Sequence, residues 1–282
     1  MSLRVNIVKI VFQLLTPAVH LGDYKTGSEQ LFRRLKFVLS NGRIEEVPYI
    51  SGNEIRGQLR RLIFKDFLKL VGYEPRERVF RSFFEGGVLE EIEEKSTPQL
   101  DIELRRKIRS LITPASLLGF AWRNQVIEGK LKVMHALPLC RELVDYLPDD
   151  IVNTHSYKQF LEKSFYDYLD RTFHTRHAEE RRSSPEEPTV QMIYGFEVLI
   201  PGTVMYTELI CDDCNEIELS CLARMIKLWN QHPFIGGKSA SGYGKIKFLE
   251  TKPDFTLDDS LYLTFIREKK NEILKILQEL DR

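Results

Sequence analysis

Residues 48–60 (PYISGNEIRGQLR) constrain the fold of this chain most, because they mark where a helix begins. Ser51 and Glu54 stand in the S-x-x-E relation of a capping box, in which each side chain binds a backbone amide of the first turn. Apolar residues then recur at helical spacing. This predicted buried stripe is Ile55, Leu59, Leu62, Ile63 and Leu70. The segment therefore predicts a capped, amphipathic helix.

Two arginines of this helix, Arg56 and Arg60, are four residues apart and share one face near its positive end. Such a face suits phosphate, although a solvated helix face is the common alternative. With the polar residues of the first turn, Ser51 and Asn53, they form one candidate phosphate-binding set. Gly57 costs a helix roughly 1 kcal/mol relative to alanine. It predicts either close approach by another backbone or a tolerated weakness.

A glycine-rich loop at 236–245 (GGKSASGYGK) is the second informative segment. Its glycines allow backbone amides to turn toward an anion without obstruction by Cβ. Its lysines add positive charge, and its tyrosine can stack on a base. It is not a Walker A loop, because Ile246 follows the last lysine and no helix is predicted there. A plain turn before a strand is the alternative. The candidate binding residues here are Lys238, Ser239, Ser241, Tyr243 and Lys245.

The composition fits a globular protein without a general affinity for polyanions. The 282 residues are 43% hydrophobic and 29% charged, and the formal net charge is zero. Any phosphate-binding surface must therefore be local. The start of the sequence lacks the apolar region of a signal peptide, and no run approaches the ~20 apolar residues of a membrane helix. A cytoplasmic protein without a membrane partner is expected.

The cysteines and the search for catalytic motifs give weaker signals. Cys211, Cys214 and Cys221 include a C-x-x-C spacing, but a closed zinc site lacks a nearby fourth ligand. Reduced structural cysteines, and neither metal nor cofactor, are therefore expected. No familiar catalytic motif is present. Asp23 and His20 share the first loop and leave RNA cleavage open as an alternative.

The order of predicted elements indicates an α+β fold. Residues 172–189 are polar and should be mobile alone, whereas 76–112 have the charge of an exposed insertion. The turn signal Asn41-Gly42 predicts a hairpin between 31–39 and 43–50. The other predicted strands are 4–15, 190–200, 203–210 and 245–250, and the other predicted helices are 157–171, 216–230 and 258–281. A ferredoxin-like or RNA-recognition-motif-like sheet with helices on one face fits this order.

These motifs give the chain a family resemblance. It resembles the RAMP superfamily of CRISPR effector subunits, in which a P-x-x-x-G-x-x-x-R-G-x-x-R segment is paired with a late G-G-x-x-S-x-G-x-G loop. Here these are residues 48–60 and 236–244. Within that superfamily it is most similar to the backbone subunit of type IV complexes. Shorter matches occur at 51–60, 117–119, 124–125, 129–130, 138–142, 191–194 and 196–197.

The resemblance implies a single modified RNA-recognition-motif domain over 1–282, with an insertion at 72–135 and a thumb hairpin at 172–191. Such subunits bind the guide RNA (crRNA), stack along it as a helical filament with other CRISPR effector subunits, and leave the guide to pair with target nucleic acid. Arginine suits contact with phosphates. The thumb residues implied to face them are Arg176, Arg181 and Arg182.

The resemblance also bears on catalysis. Related type III backbone subunits carry a cleaving aspartate just before the P-x-x-x-G segment, and here 27–30 (GSEQ) lack its usual context. A non-catalytic RNA-binding subunit is therefore expected. A RAMP endoribonuclease that cuts target or precursor RNA through Asp23 or His20 is the alternative. A protein-interaction scaffold, in which the glycine loop is only a turn, is a third hypothesis.

Overall fold

The computed structural model describes residues 4–26, 29–87, 102–122, 125–177 and 191–281. The strands are β1 (Val5–Leu14), β2 (Leu21–Thr26), β3 (Glu29–Phe32), β4 (Arg34–Val38), β5 (Ile44–Pro48), β6 (Phe120–Trp122), β7 (Gln125–Ile127), β8 (Leu131–Val133), β9 (Leu137–Pro138), β10 (Leu169–His177), β11 (Gln191–Leu199), β12 (Val204–Asp212) and β13 (Ile246–Pro253). The α-helices are α1 (Gly52–Val71), α2 (Glu77–Phe80), α3 (Ile102–Leu111), α4 (Thr113–Leu118), α5 (Asp149–Val152), α6 (Lys158–Leu161), α7 (Glu216–Gln231) and α8 (Ser260–Leu280).

A five-stranded antiparallel sheet forms the centre of the molecule. Its order is β13-β1-β12-β8, and β9 also pairs with β12. Alternate residues of β1 point to opposite faces. Val8, Ile10 and Phe12 are buried on the face that joins the main core with α1, α7 and α8. The strands predicted at 4–15, 203–210 and 245–250 are confirmed as β1, β12 and β13.

The main core contains most of the predicted stripe of α1. Ile55, Leu59 and Ile63 are fully buried, whereas Leu70 is exposed. The stripe continues instead through Phe67 and Val71. Leu70 has almost the same direction around the helix axis as Leu59 and Ile63, but it lies in the last turn of α1, next to the C-terminal residues Val71 and Gly72, where it extends past the core. The prediction of the helix is confirmed, and the assignment of Leu70 to its buried side is wrong.

The other face of the central sheet is also covered. A second apolar cluster joins Val11 of β1 to Val204 and Tyr206 of β12 and to the segment 139–161. The Tyr157 hydroxyl donates a hydrogen bond to Glu250 at 3.2 Å. This segment consists of short helical turns rather than open chain. Both faces of the sheet are therefore packed against protein.

The single helix predicted over 157–171 is wrong. Short turns occupy this region, and strand β10 begins at Leu169. Ser164 interrupts the helical pattern, because its side chain accepts a hydrogen bond from the Tyr166 amide and caps a new 3₁₀ turn. Serine favours such local bonds over a helix interior. The helical spacing of apolar residues here reflects two separate turns.

Three smaller sheets accompany the central one among the described residues, and one of them is the pair of β6 and β7. The predicted hairpin is confirmed as β4 and β5, joined through Gly42 at φ 78°. The third of these sheets has the order β10-β11-β3-β2. Arg34 at the start of β4 forms two hydrogen bonds with Glu197 of β11 at 2.7 and 2.8 Å, so the hairpin is tied to this sheet.

The segment predicted as an exposed insertion contributes to the main core. Leu104 and Ile108 of α3 are buried there, although residues 88–101 lie outside the described part of the chain. The backbone also passes very close to itself: a Cβ added at Gly119 would lie 2.3 Å from the Ile127 oxygen. At Gly129 it would lie 2.4 Å from the Leu117 oxygen. Glycine is required where two backbones approach so closely.

The cysteines differ from the expectation. Cys211 and Cys214 form a disulfide, whereas Cys140 and Cys221 are buried thiols. Within the described ranges, no group of three or more His, Cys, Asp or Glu side chains is placed to hold a metal ion. Among the helices described here, none combines the length and apolar character needed to cross a membrane.

Candidate nucleic-acid interface

The first turn of α1 is joined directly to the glycine loop. The Ser51 hydroxyl accepts a hydrogen bond from the Glu54 amide at 3.3 Å, which confirms half of the predicted capping box. The Glu54 carboxylate does not return to Ser51. It accepts a hydrogen bond from the Gly236 amide at 3.2 Å. The two segments that stand out in the sequence therefore meet at one place in the fold.

Two histidines accept hydrogen bonds from two further amides at this helix start. His20 Nε2 accepts from the Ser51 amide at 3.2 Å, and His135 Nδ1 accepts from the Gly52 amide at 2.9 Å. Burial and then the nearby Arg33 lower the pKa of His20 to about 4, and burial lowers the pKa of His135. Both rings are therefore neutral at pH 7, as a hydrogen-bond acceptor must be. These helix amides already have partners inside the protein.

Gly52, the glycine of the P-x-x-x-G segment, is required by packing. A Cβ at this position would lie 2.1 Å from the Val133 oxygen at the end of β8. At Gly57 a Cβ would meet only the Arg61 side chain, at 3.4 Å. The close backbone approach predicted at Gly57 is therefore absent from the described protein, and it occurs at Gly52 instead.

Arg56 and Arg60 extend into the protein. Arg56 donates to the Leu118 and Leu131 oxygens at 2.6 and 2.5 Å. Arg60, only 7% exposed, donates to the Leu118 and Gly119 oxygens at 2.8 Å each. Burial, followed by repulsion from Arg56, lowers the pKa of Arg60 to about 10, so it stays protonated at neutral pH. Both guanidinium groups stabilise the carbonyl end of α4, and their contact with RNA stays a prediction.

The glycine loop is held by its backbone. Gly237 donates to the Val19 oxygen at 2.7 Å, and Gly244 donates to the Pro17 oxygen at 2.8 Å. Gly236, Gly242 and Gly244 have φ between 74° and 86°, the left-handed region that glycine adopts readily. Lys238 adopts a similar φ of 60°. The loop is therefore a fixed shape on the segment that follows β1.

One side of the loop packs on β11. The Lys238 Nζ lies 4.9 Å from the centroid of the Phe196 ring, within the range of a cation–π contact. The Tyr243 ring lies 5.9 Å from the same ring. Phe196 is buried, whereas Lys238 and Tyr243 are half-buried. These contacts fix both side chains at the edge of the loop.

The other side of the loop faces solvent. Asn53 in the first turn of α1 and Lys245 at the end of the loop are exposed. So are Ser239 and Ser241. The amides of Ser239 and Ala240 have no acceptor among the described residues. Exposed hydroxyls, a lysine and unsatisfied amides are the donors that an anion needs.

The structure thus divides the sequence-predicted site residues. Asn53 and the five candidate residues of the loop share one region, while Ser51, Arg56 and Arg60 have internal partners. Arg176 lies in β10, opposite Met192 of β11, but its side chain is outside the described part. Arg181, Arg182 and the Asp23 side chain are also outside it. The assignment of all these residues to RNA stays a prediction.

Sequence reasoning missed three residues that build this region: Glu54 as a link to the loop, and His20 and His135 as acceptors. The roles of the histidines depend on segments that are distant in sequence, so spacing alone gave no signal. A different feature of α1 could have been read from the sequence. The outer face of this helix repeats polar or small residues every four positions.

The chain belongs to the RAMP superfamily, whose family model matches residues 11–247. Its fold is similar to a chain of a Type IV-B CRISPR Complex, with a TM-score of 0.61, 20% identity, and coverage of 89% of this chain and 91% of that chain. A chain of the Type III-B Cmr-beta bound to cognate target RNA matches with a TM-score of 0.45 and 12% identity. That match covers 89% of this chain and 61% of the other. A comparison with curated proteins gives no match.

Proposed function

We propose that this chain is a guide-RNA-binding backbone subunit of a CRISPR effector complex. Several copies would assemble along the crRNA as a helical filament with other effector subunits, and the guide would pair with target nucleic acid. The observation that carries the proposal is the link between Glu54 and Gly236, which brings the helix start and the glycine loop into one surface. Membership of the RAMP superfamily and the fold shared with a type IV-B chain support it.

We infer a ferredoxin-like core from the strand connections. Strand β1 leads through α1 to β8, and β12 leads through α7 to β13. Counted along this β-α-β-β-α-β path, the sheet order β13-β1-β12-β8 is 4-1-3-2. Strands β10 and β11 pair along nine residues each, and we assign the base of the thumb to them. The region 178–190 between them lies outside the described residues.

The packing of the central sheet limits how RNA can bind. In an RNA-recognition motif, bases stack on aromatic residues of an open sheet face. Here Val11 and Tyr206 are buried beneath the second apolar cluster. We therefore place the RNA at the edge of the sheet, over the glycine loop, where the exposed groups suit phosphates. Phosphate contacts carry no base information, so binding should be nearly independent of spacer sequence.

A non-catalytic role is also part of this proposal. His20, one residue of the endoribonuclease alternative, binds the Ser51 amide through Nε2, and its lowered pKa keeps it neutral. A general acid or base works best with a pKa near the operating pH. These observations favour a structural role for His20. The alternative predicts that the unmodified protein cleaves target or precursor RNA and that His20→Gln abolishes this cleavage. We expect no cleavage by the unmodified protein or by the variant.

Size-exclusion chromatography of the purified protein, with absorbance at 260 and 280 nm before and after RNase, tests the assembly. The proposal predicts a large, RNA-rich species that shrinks on digestion. A protein-only monomer that also fails to assemble on added single-stranded RNA would contradict it. An assembly that survives RNase with the absorbance ratio of protein alone would support the scaffold hypothesis instead.

A further inference from the structure

The outer face of α1 carries a row of exposed or half-exposed residues at intervals of four. The row is Asn53, Gly57, Arg61, Lys65 and Lys69. It runs beside a groove of about 570 Å³. One wall of the groove is α1, with Gln58, Leu62, Lys65, Asp66 and Lys69. The opposite wall is formed by the end of α7 and the glycine loop, with Leu228, His232, Phe234, Ser239 and Ala240. The groove therefore begins at the proposed RNA-binding loop.

Two lysines, Lys65 and Lys69, line the groove, and Arg61 lies on the same helix outside that lining. In the described ranges, no carboxylate lies within 4 Å of Arg61, Lys65 or Lys69. The carboxylate in its lining, Asp66, accepts two hydrogen bonds from Arg224 at 2.7 and 2.9 Å. The charge of Asp66 is therefore balanced within the protein, and the three cations are left to attract an external anion.

The spacing of these cations suits a polymer with regularly repeated negative charge. Four residues of α-helix rise about 6 Å, so the last three residues of the row, Arg61, Lys65 and Lys69, present one positive side chain at each such interval. At Gly57 the helix backbone is bare, because a Cβ there would meet only the end of Arg61. A ligand can approach the helix closely at that point. The Ser239 and Ala240 amides on the facing wall add neutral donors.

We propose that this groove binds a further stretch of single-stranded RNA, which leaves the glycine loop and places successive phosphates beside Arg61, Lys65 and Lys69. The proposal rests on the proposed function, since it extends the same RNA across the helix side of the subunit. An acidic protein segment would also be attracted by the charge. The regular spacing of the cations and the free amides of Ser239 and Ala240 favour a phosphodiester chain.

The test is binding of a fluorescent 30-nucleotide oligouridine to the full chain, measured by polarisation at several salt concentrations. Lys65→Gln with Lys69→Gln should weaken binding about ten-fold at 0.15 M salt and lower the salt slope by about 1.4, as expected for two lost single-strand contacts. Lys158→Gln with Lys163→Gln is the matched control. It removes the same charge from exposed lysines on the opposite side of the sheet, and we expect unchanged affinity.

Three results would overturn the groove assignment, and they separate it from the proposed function. Unchanged binding by the Lys65 and Lys69 variant, with weaker binding by Lys238→Gln with Lys245→Gln, would leave the function intact without the groove. Equal losses in the groove variant and the matched control would indicate only a general charge effect. A photo-crosslinker placed at Lys69 should react with RNA, and reaction with protein instead would refute the assignment. No RNA binding by the unmodified protein would contradict the proposed function itself.

Discussion

Gly52 and Gly57 lie five residues apart in α1, and the structure predicts opposite effects when each is replaced by alanine. At Gly57 the added Cβ meets only the flexible end of Arg61 at 3.4 Å, and alanine is better than glycine in a helix by about 1 kcal/mol. Gly57→Ala should therefore stabilise the protein by roughly that amount. At Gly52 the Cβ would lie 2.1 Å from the Val133 oxygen, which is backbone and cannot swing away. Gly52→Ala should destabilise the protein by about 3 kcal/mol, through overpacking.

Urea unfolding monitored by circular dichroism measures both changes. The propensity difference applies in full to Gly57 in the helix interior, whereas Gly52 is the first residue of α1, so the surrounding space decides its effect. We expect the midpoint of Gly57→Ala to move to higher urea and that of Gly52→Ala to move to lower urea, with similar slopes for both. Stabilisation by Gly52→Ala would refute the close approach of β8 to the helix start. Strong destabilisation by Gly57→Ala would show that the surroundings of Gly57 are packed.

Three further predictions concern His20, Arg60 and two lysines of the glycine loop. Protonation of His20 favours the unfolded chain, because its pKa is lower in the folded protein. Stability should therefore fall by about 1–2 kcal/mol, allowing for solvent screening, as the pH drops from 7 to 5, and unfolding curves of His20→Gln should lose most of this dependence. Arg60→Ala should cost about 3 kcal/mol by leaving carbonyls without donors, and Arg60→Lys should restore little of it in the same assay. Lys238→Gln with Lys245→Gln should lower the salt slope of RNA binding by about 1.4, and an unchanged slope would exclude the loop from the RNA path.

Local patterns in the sequence predicted the parts of the fold that local chemistry determines. The helix start at Ser51 depends on a side chain and an amide three residues apart. The hairpin around Gly42 depends on a tight turn over 39–43, in which the Leu39 amide donates to the Arg43 oxygen and the Gly42 amide donates to the Leu39 oxygen. The single helix over 157–171 failed because the apolar spacing continued across a serine that caps a separate turn.

The candidate site was less predictable, because its side chains bind distant parts of the chain. Arg56 and Arg60 were correctly placed on one helix face, but their partners lie about sixty residues later. Helical spacing cannot tell whether such a face meets solvent or the carbonyl end of another helix. By contrast, Arg61, Lys65 and Lys69 show the same four-residue spacing and remain exposed. Tertiary contacts alone distinguish the two rows of cations.

The close backbone crossings at Gly119 and Gly129 have a consequence for protein engineering. Deletion of residues 72–135 should not give a smaller subunit that still folds. Excision would remove the carbonyl partners of Arg56 and Arg60 and leave two cationic side chains inside an apolar core. A shortened subunit would need both arginines replaced by apolar residues before it could fold. The permissible cut sites for a minimal version are therefore set by these crossings rather than by the boundaries of the helices.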